Sequence, residues 1–307
     1  MLTTPMDVLE QFPIRKSKKQ KQAFRDAVQA YAQSLGYSVT VEKGSMGVHN
    51  IVMGDPNSAK YLVTAHYDTP ACMIVPNFIT PTNPLIFLLY QVLLVGLLFL
   101  ISGAAGFAVD LLTDNFLLSF WTWYIVYFGA LVLMMFGPAN RHNANDNTSG
   151  VVTVLETLTS MPENQRGKVC FVLFDLEEAG LIGSASYRKA HKAATEKQIV
   201  LNLDCVGDGN EIILFPTAKL KKDKEKLIPI AKVCGYFGEK SLLLRHKGFS
   251  VYPSDQKNFP YGVGIAAFRR AKFIGPYCDR IHTNRDTILE TTNVNILRAA
   301  IVSLICQ

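Results

Sequence analysis

Charge is what the middle of this chain lacks. Between Tyr61 and Asn140 there is no lysine or arginine, and the only acids are Asp68, Asp110 and Asp114. The other 227 of the 307 residues carry 53 of the 56 charges, so the overall charged fraction of 18% averages two different compositions. Cysteine is sparse as well. Cys72, Cys170, Cys205, Cys234, Cys278 and Cys306 show no C-x-x-C pair and no framework spacing, which fits a reducing compartment and excludes a small disulfide scaffold. No apolar run follows the first methionine, and a cleavable secretion signal is not expected. Outside the uncharged block the composition is that of an ordinary globular domain, which rules out disorder and collagen, while the block itself argues against a purely soluble protein.

Residues 85–109 and 116–137 are two apolar runs without charge, separated by a polar turn around Asp110, Thr113, Asp114 and Asn115. As helices rising about 1.5 Å per residue they would reach roughly 37 and 33 Å, enough to cross a hydrocarbon core of about 30 Å. Apolar residues fall on every face, and Trp121, Trp123 and Tyr124 near one end suit a membrane interface. The expectation is a transmembrane hairpin over 80–138 inserted in a discontinuous domain made of 1–79 and 139–307. Lys60 and Arg141 flank the hairpin and its turn has no base, so the positive-inside rule places the folded part and both termini in the cytoplasm.

The basic clusters Arg15–Arg25 and Lys219–Lys226 have no interleaved stacking aromatics, which excludes nucleic acid as the expected partner. A solvated helix face is the first reading of both clusters, and attraction to anionic lipid the second.

Ser17 and Gln20 form a capping-box pattern ahead of a helix through Gln33. Strands are expected at 37–41, 50–53, 61–65, 168–174, 199–203, 212–215, 241–244 and 265–268, with helices at 150–158, 184–194 and 294–304. Continuous Val, Ile, Leu and Phe runs alternating with helices predict an α/β fold, a mixed, mostly parallel sheet flanked by helices.

In such sheets ligands collect at the carboxyl ends of strands. His66 and Asp68 follow one expected strand, Asp175, Glu177 and Glu178 another, and Asp204 a third; Asp146 precedes a helix, and His282 and Asp286 lie in a late loop. Each alone would be an ordinary cap or loop residue. Several carboxylates at one sheet edge repel one another unless a cation lies between them, and mixed imidazole and carboxylate donors suit zinc ahead of manganese or cobalt.

The blocks His66-Tyr-Asp68, Asn145-Asp146-Asn147-Thr-Ser-Gly150, Glu177-Glu178 through Tyr187, Asn202-Leu-Asp204 and His282-Thr-Asn-Arg-Asp286 together resemble the bacterial leucyl aminopeptidase type of two-zinc exopeptidase, related to the transferrin receptor and glutaminyl cyclases. The resemblance spans residues 20–305 without the hairpin. It implies that His66 and Asp204 hold one metal ion, Glu178 and His282 the other, and that Asp146 bridges them. It further implies that Asp68 orients His66, that Glu177 is the general base, and that the substrate is a peptide or protein amino terminus. Two departures, Asn143 where the family often has Gly and Ser254-Asp255-Gln256 where it often has Ser-Asp-His, bear on substrate preference. An inactive scaffold and a single-zinc glutaminyl-cyclase-like acyl transferase are the alternatives; a transporter is disfavoured, since neither span carries an intramembrane charge. With nine residues from Gly137 to Asp146, the site should lie within roughly 30 Å of a membrane face.

Overall fold

The computed structural model describes residues 2–307. It opens with a short helix α1 (Asp7–Gln11) and α2 (Lys18–Ser34). Ser17 accepts from the Gln20 amide while the Gln20 side chain accepts from the Ser17 amide, so the expected capping box starts α2. The ten strands are β1 (Val39–Lys43), β2 (His49–Met53), β3 (Tyr61–His66), β4 (Val169–Phe174), β5 (Ile199–Leu203), β6 (Glu211–Pro216), β7 (Gly235–Phe237), β8 (Lys240–Leu244), β9 (Gly262–Ala271) and β10 (Gly275–Tyr277). They form one mixed sheet in the order β1-β2-β4-β3-β5-β9-β6-β8-β7, with β10 paired to β9. The run β4-β3-β5-β9 is parallel and forms the centre; antiparallel pairs lie toward the margins. Every residue of β3, β4 and β5 is buried, as continuous apolar runs require.

Between β3 and β4 lie α3 (Pro84–Thr113), α4 (Phe116–Phe136) and α5 (Gly150–Ser160); α6 (Ile182–Ala190) and α7 (Lys192–Thr195) follow β4, α8 (Ala218–Lys222) and α9 (Lys224–Lys232) follow β6, and α10 (Thr291–Cys306) closes the chain. On one sheet face α5 and α10 bury Val151, Val154, Leu155 and Leu158 with Leu297, Ile301 and Leu304; such side chains contribute about 2 kcal/mol each when removed from water. The other face packs Leu62, Cys170, Phe174, Tyr187 and Phe259. Gly150 starts α5 because a Cβ there would lie 2.4 Å from the Leu203 carbonyl oxygen.

The first basic cluster keeps only part of the solvated face expected of it: Lys18 and Lys19 are exposed. Arg15, Lys21 and Arg25 are buried. Lys21 pairs with Asp175 at 2.5 Å, and Arg25 donates to the Tyr67 hydroxyl at 3.0 Å. These long side chains cross the edge of the apolar stripe formed by Phe24, Val28, Tyr31 and Ala32 to reach polar groups at the sheet end.

Helices α3 and α4 are long and apolar enough to span a membrane, about 45 and 32 Å at 1.5 Å per residue. A core helix would be mostly covered, yet only Ser102 and Gly106 are buried in α3 and nothing is in α4. The pair packs on itself: Ser119 Oγ donates to the Gly106 carbonyl at 2.8 Å, and Phe99 meets Trp123 and Tyr127. A Cβ on residue 106 would come within 3.0 Å of the Ser119 carbonyl oxygen, the close approach that small residues permit between membrane helices. After α4 the chain rejoins the sheet domain beside the segment that follows β3, where the Asn140 amide donates to Pro70 at 2.9 Å and Ala71 bridges Ala139.

Candidate metal centre and cleft

Three adjacent parallel strands deliver side chains to one edge. β3 ends in His66 with Asp68 two residues on, β4 runs into the Asp175–Glu178 loop, and β5 ends one residue before Asp204. A buried turn of residues 144–149, with a cis Asp146–Asn147 peptide, presents Asp146, and the loop between β10 and α10 brings His282. The sheet thus brings together all seven residues to which the resemblance gives a role, His66, Asp68, Asp146, Glu177, Glu178, Asp204 and His282.

Asp146 lies in the middle. Its Oδ1 is 3.3 Å from His66 Nε2, and its Oδ2 is 3.1 Å from His282 Nε2. His66 Nε2 is also 3.5 Å from Asp204 Oδ1, and His282 Nε2 is 3.6 Å from Glu178 Oε2. Two donor triads result, His66–Asp146–Asp204 and Asp146–Glu178–His282, in each of which one donor atom per residue lies within 4.8 Å of the others. Glu177 joins His66 and Glu178 in a third such group.

Supporting hydrogen bonds fix these positions. Asp68 accepts from the amides of Glu177 at 3.0 Å and Glu178 at 3.2 Å, and its Oδ1 faces His66 Nδ1 at a longer 3.5 Å. One carboxylate thereby holds the loop that carries both glutamates and also faces a histidine. Asp286 accepts from the amides of Asn145 and Asp146 at 2.7 and 2.9 Å, tying the His282 loop to the central turn. Asn145 Oδ1 accepts from Gly207, and the Tyr252 hydroxyl donates to the Asp204 carbonyl at 2.9 Å. The sequence marks Asp286 only as a nearby acid and gives no signal for Tyr252, whose approach depends on a loop distant in the chain. Leu176, Cys205 and His282 all have positive φ. For residues with a Cβ this costs about 1–2 kcal/mol each, and the three sit beside or within the donor set, where strain tends to collect.

Five buried or half-buried carboxylates, Asp68, Asp146, Glu177, Glu178 and Asp204, surround two imidazoles. Burial pushes Glu177 and Glu178 well above the ordinary carboxylate range, and their acidic neighbours, Glu178 and Asp146 respectively, add to it. Burial would lower His66, yet Glu177, Asp146, Asp204 and Asp68 raise it well above its usual value. Such a cluster needs positive charge. The donor set, two imidazole nitrogens with carboxylate oxygens in two triads sharing Asp146, fits divalent cations of the zinc type.

The cleft above the donors measures about 100 Å³ and is walled by Ile79, Cys205, Tyr252, Pro253 and Ile281, with Asn77 at the rim. Neither departure from the family pattern lines it. Asn143 is buried under the central turn, where it donates to the Asn140 carbonyl and accepts from Thr148 Oγ1 at 2.7 Å. Gln256 lies behind the wall, donating to the Tyr252 carbonyl at 2.7 Å.

A sequence profile of peptidase family M28 matches residues 132–304. No curated protein is a significant match. Among solved structures, the chain is similar to the LapA aminopeptidase of Legionella pneumophila (TM-score 0.60, 13% identity, 98% of this chain and 70% of that one). It is also similar to a Zn-dependent exopeptidase from Parabacteroides distasonis (TM-score 0.57, 14% identity, 96% and 92%). The glutaminyl cyclase of Porphyromonas gingivalis superposes comparably (TM-score 0.56, 16% identity, 96% and 93%). At these identities the superpositions establish the shared fold; the profile match over more than half of the chain, together with that fold, establishes that the chain belongs to peptidase family M28 and is a metal-dependent hydrolase.

Proposed function

We propose that this protein is a membrane-anchored aminopeptidase that removes residues from peptide amino termini with two divalent cations, zinc by donor chemistry, and Glu177 as general base. The observation that carries this reading is Asp146, whose two oxygens face two separate imidazoles. His66, Asp204 and Asp146 would hold one ion, and Glu178, His282 and Asp146 the other. When bound, the ions supply the charge that acidifies water and polarises a carbonyl. Glu177 takes the proton of the attacking water and returns it to the leaving nitrogen. Asp68, through the Glu177 and Glu178 amides, keeps the base and the neighbouring donor directed into the cleft. Ile79, Tyr252, Pro253 and Ile281 receive one apolar side chain and exclude water around it.

The hairpin α3–α4 would cross the bilayer, with the catalytic part built from 1–79 and 139–307 in the cytoplasm. Exposed apolar surface along the full length of both helices supports the bilayer, and Lys60 and Arg141 at the flanks support the orientation. The two triads favour this reading over single-zinc acyl transfer, and retention of the base favours it over an inactive scaffold. The test is Glu177→Gln in the full chain: metal content unchanged, hydrolysis of aminoacyl amides down by about 10²- to 10⁴-fold. Equal rates in both proteins would reject Glu177 as the base.

A further inference from the structure

We propose that the surface around the root of α3 is an interfacial face that seats on anionic lipid headgroups; this rests on the bilayer reading of the hairpin. Among the described residues, nine large apolar or aromatic side chains outside the hairpin are exposed, and five of them, Ile74, Val75, Phe249, Val251 and Phe273, lie in three segments tied to that root. The Val251 amide donates to Pro81 at 2.9 Å, and the Asn83 side chain donates to the Ile274 carbonyl at 3.4 Å. The Tyr90 hydroxyl donates to the Pro76 carbonyl, and Phe78 lies between Tyr90 and Tyr277 at 5.3 and 6.2 Å. Phe273, 84% exposed, is at the tip of the β9–β10 turn, as free of protein cover as the lipid-facing residues of α3.

Charge commits the occupant. Residues 245–251 and 271–277 contain no acid. They carry the exposed Arg245, His246, Lys247 and Lys272, and exposed Arg141 stands on the returning chain. The arginines and lysines among these form no ion pair among the described residues, unlike Arg269 and Arg270 nearby. Aromatic side chains flanked by unpaired cations, continuous with a helix that enters the bilayer, match an anionic membrane surface in both components: the rings enter the interface and the cations meet headgroups. The cleft follows the same surface. Tyr252 and Pro253 come directly after Val251, and Asn77 comes two residues after Val75, so the mouth opens beside the lipid.

The experiment uses the full chain with Cys72, Cys234 and Cys306 replaced by Ser, reconstituted in phosphatidylcholine with or without phosphatidylglycerol, and spin-labelled at one introduced cysteine. Phe249→Cys and Phe273→Cys report on the face. Leu97→Cys reports the middle of α3, and Ile228→Cys reports α9, near Tyr261 at the far ends of the parallel strands. Collision with oxygen relative to a nickel chelate should place 249 and 273 between 97 and 228, deeper when phosphatidylglycerol is present, and Lys247→Glu with Lys272→Glu should remove that dependence. Aqueous readings at 249 and 273 with 97 buried would overturn this proposal alone. Equal depth in both lipids would overturn the headgroup assignment, and an aqueous 97 would overturn the bilayer reading together with it.

Discussion

Ile79 and Cys278 exchange both backbone hydrogen bonds at 2.9 Å, joining the segment that leads into α3 to the loop that carries His282. The cleft wall and a proposed metal ligand therefore share one short ladder. Ile79→Pro removes one of its donors. With a net loss of about 1 kcal/mol, KM should rise roughly five-fold while metal content stays constant. An unchanged KM would show that the ladder does not shape the cleft.

Chelation should abolish hydrolysis and lower the melting temperature, and zinc should restore both. A ligand at a thousand times its Kd stabilises a fold by about 4 kcal/mol, so the shift should be several degrees and concentration-dependent. Recovery complete at a single equivalent per chain would contradict the two-ion arrangement.

Arg15 is fully buried; its guanidinium donates to the Tyr67 carbonyl at 2.6 Å, the Phe12 carbonyl at 2.7 Å, Thr148 Oγ1 at 3.2 Å and Asn143 Oδ1 at 3.4 Å. Lysine cannot reproduce this planar fork. Arg15→Lys should destabilise the protein by roughly 3 kcal/mol in denaturant unfolding. A loss within experimental error would mean that the network is dispensable.

Burial pushes the Asp255 carboxyl up to about 7, against the opposing effects of His66 and of the hydrogen bond from Ser184. Because the folded-state value exceeds the unfolded one, the protonated group stabilises the fold. That contribution is whole below about pH 4, declines as pH rises through about 7, and is absent above. In chelator-treated protein, the stability of the wild type relative to Asp255→Asn should therefore fall by roughly 2–4 kcal/mol between about pH 4 and pH 8. Parallel pH curves would refute this.

The central strands were legible because burial on both faces demands unbroken apolar runs: 199–203 was read to the residue, and 61–65 and 168–174 to within one. That His66, Asp146, Glu178, Asp204 and His282 would meet was legible from acids at neighbouring strand ends together with the family resemblance, and the structure gathers them at one sheet edge. β7 and β10 were not, since three-residue edge strands carry too little pattern. Helix 184–194 begins two residues earlier, at Ile182, and breaks at His191. The fates of Arg15 and Lys21 depended on tertiary partners, Tyr67 and Asp175, that no local spacing announces. The hairpin was legible by composition, but its junction was not: α3 runs four residues beyond the expected Val109, to a left-handed Asp114, before Asn115 caps α4.

At the neck of the hairpin, Pro70 and Asn140 are one hydrogen bond apart, although seventy positions separate them in the chain. A segment whose two ends touch can be gained or lost without shifting any strand. The proposed membrane attachment is thus a module set beyond this neck, and a relative lacking α3 and α4 would still need the stretch through Ile79, which pairs with Cys278 and walls the cleft, to keep the same catalytic geometry.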